Sequence, residues 1–279
     1  MMTLFFKEKD HKYYSGDPNE KIDWISVTTL IGQFKKPFDA ISQATKSSKN
    51  KRSKWFGMTS DDILKAWNNE SDRSTGLGTW YHKQREDDLN SLQTITRDGI
   101  ALQIIQPIII DDIKQAPDQR LIPGIYPEHF MFLKSAGICG QADRVEVVRE
   151  KVNIYDYKTN KEIKTEGFKN WEGIVERMLP PLQHLDNCHL MYYSLQMSIY
   201  MYMILKHNPN LSAGELALDH VVFEEEKKDA NGYPVHKVDE NGDPIVKEVK
   251  TYKVPYMKSE VKVIIDWLNE NRDKLKPKK

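Results

Sequence analysis

The chain lacks the features typical of disulfide-bonded, membrane-spanning or nucleotide-powered proteins. Its 279 residues include two cysteines, Cys139 and Cys188, too few for a disulfide framework or for an iron-sulfur cluster held by four cysteines. No apolar run approaches the roughly 18 residues that a membrane-spanning helix requires. The phosphate-binding pattern GxxxxGK[ST] is also missing, so we expect no nucleotide cofactor.

The N-terminal residues do not combine a charged start with a long apolar region, and their early acidic residues argue against a transit peptide. We therefore expect a cytoplasmic protein with no membrane partner. A hydrophobic content of 39% over this length is enough to bury the core of one large domain.

The chain also has no net charge, because 41 basic residues balance 41 acidic ones. This balance argues against broad affinity for nucleic acids. Residues 35–54 are the exception, with seven Lys or Arg against one Asp, followed by Trp55 and Phe56. A basic segment with adjacent aromatic residues can follow phosphates and stack bases, whereas a solvated connector would have the same composition. The candidate DNA-binding residues here are Lys35, Lys36, Lys51, Arg52, Lys54 and Trp55.

Two alternating stretches, residues 139–148 and 152–159, are separated by a short polar connection and predict an antiparallel hairpin. Asp143 and Asp156 can then lie close together. Neighbouring carboxylates repel unless a cation lies between them, and hard oxygen ligands suit Mg²⁺ or Mn²⁺.

Lys158 lies two residues after Asp156, so strand periodicity places both side chains on one face. An ammonium beside a metal suits phosphodiester hydrolysis, in which the lysine orients or deprotonates the attacking water and offsets charge in the transition state. A solvated strand edge with an ion pair would produce the same local pattern.

Two further segments contain polar pairs spaced four residues apart. In residues 78–86, Gly78 and Thr79 predict a helix start, which places His82 and Glu86 on one helical face. Downstream, Gln196 and Tyr200 have the same spacing. A single helical His is also common as a packed or surface residue.

These patterns, GTxxHxxxE, GxxD, DYK and QxxxY, follow one another in an order and spacing that resemble the PD-(D/E)XK nucleases of the RecB-like group. Within that superfamily, the chain is most similar to stand-alone phage exonucleases and to mitochondrial genome maintenance exonucleases. Residues 24–31, WISVTTLI, are similar to the SVT segment of those enzymes. The resemblance covers residues 1–265 or so.

The resemblance implies a role for each matching residue. Asp143, Asp156 and the backbone carbonyl of Tyr157 would bind Mg²⁺ or Mn²⁺, with His82 as a further ligand that favours tolerance of Mn²⁺. Lys158 would be the catalytic lysine. The remaining implied residues are Gln196 and Tyr200, which orient the lysine or the strand; the accessory acids Glu86 and Glu128; and the DNA contacts Ser26 and Thr28. Lys161 is a candidate DNA contact for a separate reason, because it belongs to a set of lysines that follows the strand of Lys158. A surface strand position is the alternative for Glu128.

The activity implied is that of a metal-dependent DNA exonuclease of phage recombination or genome processing. Its partners would be single-stranded DNA or duplex ends, together with a phage recombination or single-strand-binding protein. An endonuclease of the same fold and an inactive nuclease-like DNA-binding protein are the alternatives.

The fold implied is α/β: a restriction-endonuclease-like core with a mixed central β-sheet flanked by helices, an N-terminal hairpin and helical region, and a small β-hairpin insertion. We expect one nuclease domain. Its parts are an N-terminal DNA-binding region at 1–75, the catalytic core at 76–223, a β-meander at 224–256 and a C-terminal helix with a basic tail at 257–279.

Local patterns predict the individual elements. They indicate a helix over 26–34 capped by Ser26, two helices within 76–117, three strands over about 126–158, and a strand over 215–223. Residues 168–207 are predicted to be largely helical with an interruption at Pro180-Pro181, and a closing helix is predicted over 259–275. Asn231-Gly232 and Asn241-Gly242 predict tight turns in the meander.

Overall fold

A computed structural model describes residues 3–10 and 12–275 of the chain. The helices are α1 (Val27–Gly32), α2 (Ala40–Lys49), α3 (Ser60–Asn90), α4 (His189–His207) and α5 (Lys258–Asn271). The strands are β1 (Leu4–Lys7), β2 (Lys12–Ser15), β3 (Ile25–Ser26), β4 (Thr94–Arg97), β5 (Ile100–Gln103), β6 (Ile108–Ile110), β7 (Ile113–Gln115), β8 (Gly124–Leu133), β9 (Ile138–Val148), β10 (Lys151–Lys158), β11 (Ser212–Phe223), β12 (Glu225–Lys228), β13 (Pro234–His236) and β14 (Val246–Val254). Residues 276–279 of the predicted basic tail lie outside the described residues.

The architecture is mixed α/β, with helices on both faces of a mixed central sheet. The sheet has the order β14-β11-β10-β9-β8, and β3 pairs with the start of β9. Strands β10 and β11 are parallel, while β9 is antiparallel to both β8 and β10. The three strands predicted between about 126 and 158 are therefore present, and β9 and β10 form the expected hairpin.

The main hydrophobic core lies between one face of the sheet and the helices α1, α4 and α5. Helix α4 is mostly apolar and buried, which is typical of a helix enclosed by other elements. On the opposite face, Tyr81 of α3 packs against Tyr157 and Phe223. A second sheet, β2-β1-β7-β6, packs through Phe6 against Phe130 beside the main sheet.

The prediction that a helix starts at Gly78-Thr79 is wrong. Helix α3 begins after Thr59, whose hydroxyl accepts a hydrogen bond from Asp62 N at 3.1 Å, and continues through the motif to Asn90. Gly78 instead permits close approach between α3 and the end of β10, because a Cβ there would lie 3.3 Å from Thr159 Oγ1.

Three further predictions need correction. The second helix within 76–117 is replaced by two hairpins, β4–β5 and β6–β7. Residues 168–187 form turns and isolated bridges rather than helix. The last part of the predicted meander, β14, belongs to the central sheet because it pairs along most of β11, which leaves β12 and β13 as the separate hairpin.

Helix α1 begins where the sequence indicates, with Ser26 Oγ accepting a hydrogen bond from Thr29 N at 3.1 Å. The closing helix α5 is also present but ends at Asn271. None of the helices in the described residues is long and apolar enough to cross a membrane.

A buried asparagine joins the end of α4 to the loop before β8. Asn208 Oδ1 accepts a hydrogen bond from Leu121 N, and its Nδ2 donates to the carbonyls of Gln119 and Ile204, each at 2.8 Å. Because these backbone groups are shielded from water, removing the amide leaves them without partners.

Replacing Asn208 by alanine is therefore expected to lower the free energy of unfolding by about 2–4 kcal/mol. Urea denaturation followed by circular dichroism measures the change. Asn210→Ala, an exposed asparagine two residues further on, should alter stability by less than about 0.5 kcal/mol. Equal effects of the two substitutions would contradict a structural role for the Asn208 amide.

Candidate active site

A cavity of about 310 Å³ lies where β9 and β10 separate, beside the start of α1, the middle of α3 and α4. Pairing between β9 and β10 ends at Arg144 and Tyr155, so Asp143 and Asp156, the next residues toward the cavity, are not paired with each other. The predicted site residues in the cavity wall are Ser26, Thr28, His82, Asp143, Lys158, Gln196 and Tyr200. The four sequence motifs thus meet at one place.

Asp156 and Lys158 lie on one face of β10 and form a buried ion pair between Oδ2 and Nζ. Burial raises the pKa of Asp156 to about 6, with Lys158 opposing the change. Burial also disfavours the charged form of Lys158, but the carboxylates of Asp156 and Asp143 outweigh it and hold the pKa of the lysine above its usual value. Lys158 is therefore an ammonium at neutral pH, suited to stabilising negative charge rather than removing a proton.

Asp143 makes contacts with both of its carboxylate oxygens. Its Oδ2 accepts a hydrogen bond from Tyr157 N at 2.6 Å, and its Oδ1 lies 3.3 Å from His82 Nδ1. Burial opposes ionisation, but the charge and hydrogen bond of His82 hold the pKa of Asp143 below its ordinary value. Asp143 is therefore a carboxylate at neutral pH.

His82 reaches this carboxylate from the middle of α3. Its Nε2 lies 3.1 Å from the carbonyl oxygen of Tyr157, so the imidazole bridges two predicted metal-ligand positions. Burial works against a charge on His82, but Asp143 outweighs it and raises the pKa of the imidazole to about 9. In this protonated form His82 compensates the charge of Asp143, and it can bind a metal only after it loses that proton.

Glu128 of β8 is the third acidic residue of the group. In the β8–β9 register it falls opposite Asp143, and its φ of 47° is in the left-handed region, which is costly for a residue other than glycine. Gln141 Nε2 donates to Glu128 Oε2, and Lys114 Nζ lies 3.9 Å from the same oxygen. Burial and the charge of Asp143 raise the pKa of Glu128 to about 8.

These residues offer a donor set that fits a divalent metal. His82, Glu128 and Asp143 each present one ligand atom, and the three atoms lie within 4.8 Å of one another. One nitrogen and hard carboxylate oxygens suit Mn²⁺ and Mg²⁺. Asp156 lies outside this group, although its buried Oδ1 has no hydrogen-bond partner within the described part of the chain.

Gln196 and Tyr200 form the α4 side of the cavity. Gln196 Nε2 donates to Tyr200 Oη at 3.1 Å, and the ring of Tyr200 is buried against Gly140. A Cβ at position 140 would lie 2.6 Å from Tyr200 Cε1, so the glycine of the GxxD motif is needed for this close contact.

Other predicted residues do not reach the cavity. Glu86 is buried and contacts Lys83 Nζ at 3.2 Å. Trp55 is 6% exposed in a cluster with Ala44 and Ile63, so the prediction that it stacks on bases is wrong. Lys54 lies over the rings of Trp55 and Tyr233.

The remaining predicted DNA contacts differ in their surroundings. Lys35 lies 4.0 Å from the centre of the Tyr192 ring, and Lys36 is paired with Glu176 at 3.1 Å. Ser26 is buried as a helix cap, whereas Thr28 is exposed at the cavity. Lys51, Arg52 and Lys161 are exposed.

Sequence reasoning missed the residues that support the acidic group. Gln141 and Lys114 contact each other at 3.2 Å and both contact Glu128. The Tyr193 ring lies 4.9 Å from Lys158 Nζ. Gln141 directly follows the GxxD glycine, and Tyr193 precedes Gln196 by one helical turn, so their positions relative to these motifs could have identified them. Lys114 on β7 lies near no motif, and the sequence offered no signal for it.

No family model and no curated protein matches this sequence. Among solved structures, the protein described as SSO0001 aligns over 94% of this chain and 80% of its own, with a TM-score of 0.31 and 12% identity. A similarity of this degree does not establish a shared function.

If His82, Glu128 and Asp143 bind a metal together, Asp143→Asn should weaken Mn²⁺ binding at least about tenfold, because it removes the negatively charged member of the set. Isothermal titration calorimetry measures the affinity. Glu150→Gln, which neutralises an exposed carboxylate in the β9–β10 turn, is the control and should bind like the wild type. Unchanged Mn²⁺ uptake in Asp143→Asn would exclude Asp143 as a ligand.

Gly140→Ala should destabilise the protein by about 1–3 kcal/mol, because its methyl group collides with the buried ring of Tyr200. Thermal unfolding measures the loss. Gly76→Ala, inside α3 with open space around it, should be neutral or stabilising. Adding Tyr200→Leu to Gly140→Ala should recover part of the stability, and simple additivity in this double-mutant cycle would rule out the contact.

Proposed function

We propose that the protein is a Mg²⁺- or Mn²⁺-dependent deoxyribonuclease of the PD-(D/E)XK type, with a restriction-endonuclease-like core, and that it acts as an exonuclease. The observation that carries this proposal is the convergence of His82, Glu128 and Asp143, of which His82 and Asp143 line a cavity whose wall also contains Lys158. The motif order supports the same activity. The alternative, a surface ion pair at a strand edge, would not explain why side chains from α3, β8, β9 and β10 meet at one place.

The chain's residues divide the chemistry between them. His82, Glu128 and Asp143 would hold the metal, with the Tyr157 carbonyl and Asp156 Oδ1 as neighbouring oxygens. When bound, Mg²⁺ or Mn²⁺ supplies Lewis-acid activation of a phosphate oxygen and a water molecule. Lys158 stabilises the negative charge that develops on the phosphate, because its ammonium is already oriented by Asp156.

Gln196 and Tyr200 restrict how the substrate enters. Their side chains are joined by a hydrogen bond and line the cavity together with Lys158. They therefore position the DNA strand beside the lysine. Preorganisation of this kind lowers the cost of ordering the reacting groups.

Removing the ammonium tests the proposal. Lys158→Ala should reduce cleavage of linear single-stranded DNA by at least about 100-fold, because it removes transition-state stabilisation, while DNA affinity remains close to that of the wild type. Release of nucleotides in Mg²⁺, measured on linear and on covalently closed circular strands, gives the result. Lys164→Ala removes an exposed lysine of the same connection and should remain active.

Cleavage of the linear strand alone supports an exonuclease, whereas cleavage of the circle supports an endonuclease with the same site. Melting temperatures of both variants show whether a loss of activity reflects unfolding. If correctly folded wild type is no more active than Lys158→Ala on single strands or duplexes, in either metal, the nuclease proposal is wrong.

A further inference from the structure

An exposed aromatic turn follows the strand that contains Lys158. We call residues 168–174 the aromatic turn. Trp171 at its tip is 91% exposed, Phe168 is 73% exposed and Ile174 is 61% exposed. Large apolar side chains grouped at this level of exposure mark interaction surfaces.

The backbone of the aromatic turn is held in place by hydrogen bonds. Asn170 Oδ1 accepts from the backbone N–H groups of Glu172 at 3.0 Å and Ile174 at 2.9 Å. Glu176 N donates to the carbonyl of Phe168 at 2.8 Å. Trp171 is therefore presented on a fixed turn, which reduces the conformational entropy lost when its ring binds a partner.

The connection that contains this turn is attached to the first residues of α4. Leu190 N donates to the Lys164 carbonyl at 3.0 Å. One turn further along α4, Tyr193 lies over Lys158. The aromatic turn therefore belongs to the segment that borders the proposed active site.

A second exposed segment is anchored beside the aromatic turn. We call residues 35–54 the basic arm. Lys36 pairs with Glu176 at 3.1 Å, and Leu179 N donates to the Phe34 carbonyl at 2.8 Å. Near the start of the arm, the side chains of Phe38 and Ile41 are 71% and 68% exposed.

The basic arm also supplies cations that form no salt bridge with any described residue. Among the described residues, no carboxylate forms a salt bridge with four of its cations, Lys46, Lys49, Lys51 and Arg52. By contrast, two lysines close to the aromatic turn in sequence are paired, Lys164 with Glu162 and Lys169 with Glu166. The arm therefore offers a group of unpaired cations, and the turn offers exposed aromatic surface.

We propose that the aromatic turn and the basic arm together bind single-stranded DNA, with bases stacked on Trp171 and Phe168 and phosphates on the cations of the arm. This assignment rests on the proposed nuclease function and names the form of its substrate. A single strand offers both the free base faces and the phosphates that these groups complement. In a duplex the base faces are already stacked on one another and are not available to the aromatic turn. An apolar protein partner would leave the cations of the basic arm without counter-charges.

The test is fluorescence anisotropy with a labelled oligothymidylate and with a labelled duplex, in EDTA so that no cleavage occurs. Trp171→Ala should weaken oligothymidylate binding about fivefold to a hundredfold, the range expected for loss of one base–aromatic contact, and leave duplex binding unchanged. Trp171→Phe should restore most of the affinity. Val249→Ala, an exposed apolar residue on β14, is the control and should have no effect.

Salt dependence separates the two parts of the surface. Lys49→Ala should reduce the slope of log affinity against log salt, because one phosphate contact is lost, whereas Trp171→Ala should lower affinity without changing the slope. Wild type that does not bind oligothymidylate, Trp171→Ala that binds it normally, or equal losses for single strand and duplex would each overturn the inference. Selective loss in Trp171→Ala supports the binding surface even if wild type proves inactive in the cleavage assay, and that combination would reject the nuclease proposal alone.

Discussion

Repulsion among buried carboxylates is the constraint around which the candidate active site is organised. Glu128 falls opposite Asp143 on the neighbouring strand, and continuing the β9–β10 register would bring Asp156 opposite Asp143 on the other side. Such a row is unfavourable in a shielded environment unless cations compensate it. His82 arrives from α3 and Lys158 from β10, so compensation depends on elements far apart in the sequence being assembled together.

Much of this arrangement could be predicted because its determinants are local. Alternation of apolar and polar residues is enough to place Asp156 and Lys158 on one strand face, and the structure shows them paired there. The orientation of Glu128 could not be derived in this way, because its positive φ breaks the strand pattern. The hairpin at Asp98-Gly99 had a usable signal, because Asp-Gly is a preferred pair for tight hairpin turns, and both residues do adopt a positive φ. The prediction of a second helix within 76–117 did not take this signal into account.

Local patterns also fail to predict which aromatic residues are exposed. Trp55 follows a basic segment, and composition alone does not distinguish a ring available for stacking from one that packs against Ala44 and Ile63. Trp171 has no comparable sequence context, but the structure leaves its ring in solvent on a hydrogen-bonded turn. Exposure depends on tertiary packing, so only the folded chain separates these two tryptophans.

The charge state of Lys158 defines how the proposed site can work. Burial lowers the pKa of Lys158, but the carboxylates of Asp156 and Asp143 outweigh it and favour the ammonium form at neutral pH. Asp156 pairs with the ammonium of Lys158, and the Tyr193 ring lies 4.9 Å from its Nζ. A lysine fixed in this way stabilises an anionic transition state without reorganising during the reaction, which is the condition under which electrostatic catalysis is most effective. The sequence spacing accounts for the proximity of Lys158 and Asp156, whereas the raised pKa of Lys158 also depends on Asp143, which the fold brings beside them.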